Sequence, residues 1–153
     1  MSGVMESVEV AVPVRTAYNQ WTQFEEFPRF MEGVEQVRKL SDTMTHWKIE
    51  VAGVQREFDA RVTEQHPDER VAWVSTEGPK HAGVVTFHRL APDRSRVTVQ
   101  MEIEPHGVTE KAADMLGLLR RRVKGDLERF KEFIESRDGE TGEWRGDIER
   151  PQP

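Results

Sequence analysis

The sequence predicts an α+β fold in which a curved antiparallel sheet of about seven strands holds two short helices and a long C-terminal helix, with an apolar cavity between sheet and helix. Between Val34 and Glu104, apolar and polar residues alternate with a period of two, which is typical of strands with one buried face. After Gly107 the apolar residues recur every three or four positions, which is typical of a helix. With 153 residues, the chain has room for one such domain.

The N-terminal part predicts one strand followed by two short helices. Alternation from Val4 to Val10 indicates the strand, which ends at Pro13. Apolar residues at helical spacing follow from Val14 to Thr22, and an aromatic residue then recurs at every third position from Phe24 to Phe30. Because Pro28 interrupts this second pattern, we expect two helices that are bent relative to each other.

A two-residue turn sets the register of the first central hairpin. If Gly53 and Val54 form this turn with glycine first, as type II′ turns prefer, Ile49 faces Phe58 across the hairpin. The large apolar residues of both strands then lie on the same side of the sheet.

A four-residue loop from His66 to Glu69 sets the next register and places Val62 opposite Trp73. The two turns, assigned independently, give one common inner face. Its residues are Trp47, Ile49, Val51, Phe58, Ala60, Val62, Val71, Trp73 and Ser75. Further turns are predicted at Gly78-Pro79 and Pro92-Asp93. The inner residues of the last two strands are Val85, Phe87, Val97, Val99, Met101 and Ile103.

The C-terminal apolar stripe predicts a helix of roughly eight turns, far longer than an average helix. The stripe consists of Ala112, Leu116, Leu119, Val123, Leu127, Phe130 and Ile134. The rest of the helix surface is polar, so one face packs, and the sheet is the only partner large enough. Residues 1–137 are therefore predicted to form the domain, and the polar, glycine-rich residues 138–153 a flexible tail.

Composition excludes several classes of function. The net charge of -6 argues against a nucleic-acid surface, because neutralising phosphates supplies most of that affinity. The chain has no cysteine, which excludes a disulfide framework and a thiolate nucleophile and fits a reducing compartment. It shows no signal-peptide pattern and no apolar run long enough to span a bilayer. We therefore expect a cytoplasmic protein.

Neither a metal site nor a cofactor is expected. The histidines have no metal-binding spacing such as HxH or HExxH, and they are predicted to lie on the solvated surface. They are His46, His66, His81, His88 and His106. Phosphate-binding loops and Ser/His/Asp signatures are also missing.

One basic cluster stands out at Arg120 to Arg122, followed by Lys124. Three consecutive helical residues spread over about 200° of the helix surface, so they form no single stripe. A solvated helix face is the favoured interpretation. The alternative is transient contact with anionic lipid headgroups or with a partner.

Several short segments between Val4 and about Arg137 together carry a family resemblance. They are Val12-Pro13, Ala17-Tyr18 with Trp21, Phe27-Pro28-Arg29-Phe30-Met31, Arg70-Val71-Ala72-Trp73, Gly83-Val84-Val85-Thr86-Phe87 and Asp126-Leu127-Glu128-Arg129-Phe130-Lys131. In order and spacing they resemble the START-like, or SRPBCC, superfamily with its helix-grip fold. The likeness is to bacterial proteins of the polyketide cyclase/dehydrase type, which are related to coenzyme-Q-binding proteins. This resemblance implies a hydrophobic pocket for a lipid, an isoprenoid quinone, a polyketide or a similar molecule.

The candidate ligand-binding residues come from the aromatic segment, the inner sheet face and the long helix. They are Phe27, Phe30, Met31, Trp47, Phe58, Trp73, Phe87, Met101, Met115 and Leu119. The alternative is plain core, because aromatic residues at helical spacing are usually core. Two tryptophans on one inner face favour a cavity that also holds water or a polar ligand group, since an indole N–H is costly to bury without a partner.

Three functions remain open from the sequence. The first is a binding module that holds an apolar or amphipathic molecule, with the aromatic segment as its gate. The second is an enzyme that cyclises or dehydrates a polyketide-like chain in the same cavity. Because the inner positions are almost all apolar, binding is favoured. The third, a protein interaction through the outer sheet face, needs an exposed apolar patch, for which Val74 is the candidate.

Overall fold

The structure is a computed structural model that describes residues 2–51, 53–76, 81–103, 109–137 and 139–148. Its helices are α1 (Val14–Trp21), a 3₁₀ helix (Phe24–Arg29) and α2 (Thr109–Glu135). Its strands are β1 (Ser2–Val10), β2 (Val34–Lys39), β3 (Met44–Val51), β4 (Val54–His66), β5 (Arg70–Ser75), β6 (His81–Ala91) and β7 (Arg94–Ile103).

All seven described strands belong to one antiparallel sheet in the order β1-β7-β6-β5-β4-β3-β2. Strands β2 to β7 follow each other along the chain as hairpins, and β1 joins the sheet beside β7. The predicted α+β class, with a sheet of seven strands, two short helices and a long C-terminal helix, is confirmed. Within the described residues, no helix is both long and apolar enough to cross a membrane.

The β3–β4 hairpin differs from the predicted register by two residues. Trp47, and not Ile49, lies opposite Phe58. Strand β4 already begins at Val54, so Gly53 is the second residue of the turn and not the first. Gly53 has a φ of 81°, in the left-handed region that favours glycine. A shift by two residues preserves parity, so the predicted inner face is unchanged.

In the β4–β5 hairpin, the predicted pairing of Val62 with Trp73 is confirmed. Beyond Val62 a bulge shifts the register, so His66 pairs with Arg70 and the turn is one residue shorter than predicted. The same bulge brings Gln65 into the interior, where it is 1% exposed.

The core is dense at one end of the sheet, which we term the closed end. Its buried side chains include Val10, Ala17, Tyr18, Trp21, Phe24, Phe27, Phe30, Val62, Val71, Val85, Phe87, Val97, Val123, Leu127, Phe130 and Ile134. The Phe130 ring lies 5.1 Å from the Trp21 ring and 5.2 Å from the Phe30 ring, both in edge contact. The second half of α2 thus packs against both short helices.

Residues 139–148, termed the strap, lie against α1 and the β4–β5 turn. The sequence predicts a flexible tail over 138–153, and the structure differs from this prediction for the strap. Ile148 exchanges backbone hydrogen bonds of 2.8 and 2.9 Å with Gln65. Asp147 binds the imidazole of His66 and raises its pKa, while Arg145 forms a 2.9 Å ion pair with Asp68.

The physical reason for the strap is a pair of buried amides on α1. Asn19 and Gln20 are both 0% exposed, and buried amides require hydrogen-bond partners. Asn19 donates to Glu140 at 3.1 Å and accepts from Arg145 at 2.6 Å. Gln20 donates to the Thr141 hydroxyl at 3.0 Å and accepts from the Thr141 N–H at 2.8 Å. The polar composition of the tail supplies the partners that α1 lacks.

A chain that ends at Arg137 is expected to lose about 1–3 kcal/mol of unfolding free energy. Each lost hydrogen bond removes about 0.5–1.5 kcal/mol, and the entropy regained by the freed segment offsets part of the sum. Urea denaturation followed by circular dichroism measures the difference. A chain that ends at Arg150 is the control and should match the full-length protein. Equal midpoints for the chains ending at Arg137 and Arg150 would contradict a stabilising strap.

Candidate functional site

At the other end of the sheet, termed the open end, most inward-facing side chains are only half-buried, whereas Val4, which pairs with Met101, is 4% exposed. The open-end residues are Trp47, Ile49, Phe58, Trp73, His81, Gly83, Met101 and Leu119. On the same inner face, the core side chains are at most 6% exposed. Protein interiors are normally close-packed, so half-buried residues on an inner face are incompletely covered by the rest of the protein.

Two aromatic rings form one wall of the open end. Trp47 and Phe58 lie opposite each other, with ring centroids 6.0 Å apart and planes 8° from parallel. The indole N–H of Trp47 donates to the Thr45 hydroxyl at 2.8 Å, and this hydroxyl donates to the Ala60 carbonyl at 3.2 Å. The polar group of Trp47 is thus satisfied within the protein, and the apolar ring surface is what the wall offers.

Trp73 forms a second flat wall, for which Gly83 is required. The two residues lie opposite each other on β5 and β6. A Cβ atom at Gly83 would lie 2.3 Å from Cζ2 of the Trp73 ring. The indole therefore packs directly against the backbone of Gly83. The side chain of any larger residue at position 83 would overlap the ring.

His81 is the polar residue of the open end, and the prediction that it lies on the solvated surface is wrong. It shares its side of β6 with Gly83, Val85 and Phe87, so the strand alternation alone identifies it as an inner residue. Its ring meets the Phe58 ring edge-on, with centroids 4.7 Å apart. Within the described residues its Nδ1 is enclosed and has no hydrogen-bond partner. Burial lowers the pKa of His81, so the imidazole is neutral at pH 7.

Two other histidines are held by carboxylates away from the open end. His46 lies 2.6 Å from Asp59 and 3.2 Å from Glu57, and hydrogen bonds from these two groups raise its pKa. His66 binds the strap. Across the part of the chain that the structure describes, no group of three or more His, Asp or Glu side chains is arranged to hold a metal ion.

The structure divides the predicted pocket residues into two groups. The closed-end group is Phe27, Phe30 and Phe87, which are 3%, 2% and 4% exposed. The open-end group is Trp47, Phe58, Trp73, Met101 and Leu119, all half-buried. Met31 is half-buried against the closed-end core, and the side chain of Met115 lies outside the described part of the structure. Phe27 joins the groups, because its ring lies 5.7 Å from the Trp47 ring.

Three side chains of α2, which we term the latch, fix the loop that follows the 3₁₀ helix. Asp126 accepts the backbone N–H of Glu32 at 3.0 Å. Arg122 donates to the carbonyl of Glu32 at 2.7 Å, and Arg129 donates to the carbonyl of Phe30 at 3.0 Å. Arg129 also binds Asp126 directly. The latch satisfies backbone groups that no secondary structure serves.

The latch also corrects the prediction for the basic cluster. Arg121 is exposed, as expected of a solvated face, whereas Arg122 is half-buried against the loop. A Cβ atom at Gly33, which has a φ of 88°, would lie 1.9 Å from the Arg122 guanidinium. Burial raises the pKa of the Asp126 carboxyl, and the hydrogen bond from Arg129 opposes that rise.

A separate cleft of about 260 Å³ lies between the strap and the 3₁₀ helix. It is lined by Thr22, Gln23, Phe24, Glu25, Glu26, Lys39, Glu143 and Trp144. The ammonium of Lys39 lies 4.3 Å from the centre of the Trp144 ring, and burial lowers the pKa of Lys39. Since none of the lining residues belongs to the open end, this cleft is distinct from the candidate site.

A curved antiparallel sheet that packs against a long C-terminal helix defines the helix-grip fold. The family model described as "Polyketide cyclase / dehydrase and lipid transport" matches residues 10–132. The chain belongs to this family, as the sequence resemblance predicts. The match ends at residue 132, before the strap.

Individual relatives agree with this assignment. An uncharacterized 17.2 kDa protein from Streptomyces lincolnensis is 60% identical over 149 residues, which cover 97% of this chain and 99% of the relative. A START superfamily protein from Mycobacterium smegmatis has a TM-score of 0.67 at 18% identity, covering 83% of this chain and 97% of that one. The Zhui aromatase/cyclase from Streptomyces sp. R1128 has a TM-score of 0.75 at 16% identity, covering 86% and 92%. At these identities the two solved structures show the fold alone.

Replacing Gly83 with alanine is expected to push the Trp73 ring off the backbone, because the new Cβ would overlap it. The expected cost is about 1–3 kcal/mol of unfolding free energy, typical of overpacking. Urea denaturation measures it, and the near-ultraviolet circular dichroism of the indole should change in parallel. Gly117→Ala is the matched control, since no atom lies within 4 Å of a Cβ there and alanine favours a helix. A Gly83→Ala protein as stable as the wild type, with an unchanged indole signal, would refute this packing.

Replacing Asp126 with alanine is expected to free the loop that the latch holds. The amide of Glu32 loses its acceptor and Arg129 loses its carboxylate, at an expected cost of about 1–3 kcal/mol. Hydrogen exchange followed by NMR should show faster exchange at the Glu32 amide. Glu128→Ala, an exposed carboxylate on the same helix, is the control and should leave that rate unchanged. Equal protection of the amide in all three proteins would show that the latch does not hold the loop.

Proposed function

We propose that this protein binds a hydrophobic small molecule between the open end of the sheet and α2. The observation that carries the proposal is the change in burial along one face of one sheet. The inner residues Val85 and Val97 at the closed end are 0% exposed, whereas Trp73 and Met101 at the open end are half-buried. A ligand of matching shape would complete the packing that protein atoms leave incomplete.

The energetics suit reversible binding. If a ligand removes about 400 Å² of apolar surface from water, burial contributes about 10 kcal/mol. Lost translational and rotational freedom costs about 4 kcal/mol or more. The balance of about 6 kcal/mol corresponds to a dissociation constant of tens of micromolar. A ligand bound with this affinity is held and released reversibly.

The family assignment supports this function. Polyketide cyclisation, dehydration and lipid transport, the activities in the family description, all require a protein that accommodates a hydrophobic molecule. The structural neighbours include a START superfamily protein and an aromatase/cyclase, and both share this fold. We further propose a cytoplasmic location, which the absence of cysteine supports.

Cyclisation or dehydration of a polyketide-like chain is the second candidate, and His81 is the observation that favours it. A neutral imidazole can remove a proton from one atom and return it to another, as such reactions require. Conversion of a short poly-β-ketone by the wild type, and its loss in His81→Phe, would support an enzyme. Binding of the same compound without conversion would support a carrier.

Binding can be tested with the neutral fluorescent probe N-phenyl-1-naphthylamine. The wild type is expected to enhance its emission with saturable binding. Trp73→Ala should weaken probe binding about fivefold or more, because the loss of the indole removes roughly 1 kcal/mol of aromatic contact with the probe. Phe58→Ala should act in the same way.

Val74→Ala is the matched control, because Val74 adjoins Trp73 in sequence but is 37% exposed on the outer sheet face. It should bind the probe like the wild type. Probe binding that is absent in the wild type, or equal in the wild type and a folded Trp73→Ala protein, would overturn the proposed site.

A further inference from the structure

His81 is the one titratable side chain among the open-end residues as defined above. Its backbone N–H donates to the Ser75 hydroxyl at 3.1 Å, which fixes the start of β6. The imidazole is partly enclosed, and Phe58 covers one edge of it at a centroid distance of 4.7 Å. A polar ring held in an apolar wall at this fixed position can give direction to a ligand that apolar contacts alone would leave free to turn.

Flat aromatic surfaces lie near His81 on the side of β6 that faces β5 and β4. Phe58 stacks on Trp47 within 8° of parallel. Gly83 follows His81 on the same face of β6 and carries the Trp73 ring against its backbone. A flat ligand covers more of such surfaces than a bent or branched one of equal volume, and buried area determines the apolar contribution.

The unpaired ring nitrogen of His81 indicates which chemical group a ligand would need in order to bind it. A neutral imidazole has one N–H donor and one acceptor nitrogen. Among the described residues Nδ1 has no partner, and an enclosed polar atom without a partner costs free energy. A hydroxyl group both donates and accepts, so it can pair with either nitrogen of either neutral tautomer.

We propose that His81 is the polar contact of the ligand, and that the ligand is a flat apolar molecule with a hydroxyl group at its edge. This inference rests on the proposed binding function and specifies the ligand class. It disfavours a carboxylate ligand, because a buried carboxylate needs a counter-charge and Arg56, which pairs with Ile49 on the inner side of β4, is exposed. Burial keeps the imidazole neutral, so it offers no positive charge in its place.

Three probes of one ring system test the inference by isothermal titration calorimetry. They are 2-naphthol, 2-methylnaphthalene and 2-naphthoate at neutral pH. The wild type is expected to bind 2-naphthol about five- to tenfold more tightly than 2-methylnaphthalene, the effect of one hydrogen bond. It should bind 2-naphthoate more weakly than either.

The variant His81→Phe keeps a ring but removes both nitrogens, so the preference for 2-naphthol over 2-methylnaphthalene should disappear. His81→Gln, whose amide donates and accepts, should keep part of the preference and provides a second test if the phenylalanine variant does not fold. His88→Phe is the matched control, since His88 is an exposed histidine on the same strand, and it should keep the full preference.

Two failures are distinguishable. If the wild type binds 2-naphthol and 2-methylnaphthalene equally, or if folded His81→Phe retains the preference, the role of His81 is overturned and the binding function stands. If the wild type binds none of the three naphthalenes nor N-phenyl-1-naphthylamine, the binding function falls and the role of His81 falls with it.

Discussion

The structure depends on the packing of the second half of α2 against both short helices. Phe130 contacts Trp21 and Phe30 within 5.2 Å, and Ile134 is 0% exposed. This single contact region closes one end of the sheet and sets the position of α2. The sheet and α2 both extend beyond that region, and the apolar open-end residues remain half-buried. The space for a ligand is thus a consequence of concentrating the core at one end.

The latch and the strap are two sets of hydrogen bonds that stabilise the closed end, and neither involves an open-end residue. The latch joins the loop after the 3₁₀ helix to α2 through backbone groups of Phe30 and Glu32. The strap satisfies the buried amides of Asn19 and Gln20. The strap serves amides that would otherwise be buried without partners, a cost of about 1–3 kcal/mol each, whereas the latch ties an exposed loop to the helix. The domain can therefore remain folded with its apolar site empty, as a binding protein must between ligands.

Much of the fold could be predicted from the sequence because a strand has a period of two. The β3–β4 turn lies one residue earlier than the sequence predicts, which shifts the strand register by two residues, and the predicted inner face is unchanged because parity survives that shift. The bulge that buries Gln65 leaves no mark in the pattern. The strap could not be predicted from the sequence, because its partners Asn19 and Gln20 lie more than a hundred residues away. No local pattern shows that α1 will bury two amides. His81 could have been found, because it continues the alternation of Val85 and Phe87.

The position of the latch bears on how a ligand reaches the site. The sequence favours the aromatic segment as a gate, but its rings Phe27 and Phe30 are almost fully buried and the loop after it is tied to α2 by Arg122 and Asp126. Opening there would break buried contacts and several charge-assisted hydrogen bonds, which are the stronger class. Among the described open-end residues no such contacts need to break, because Trp47 and its neighbours are already half-exposed. We therefore propose that a ligand enters past the open end, where it would first meet the flat rings and His81.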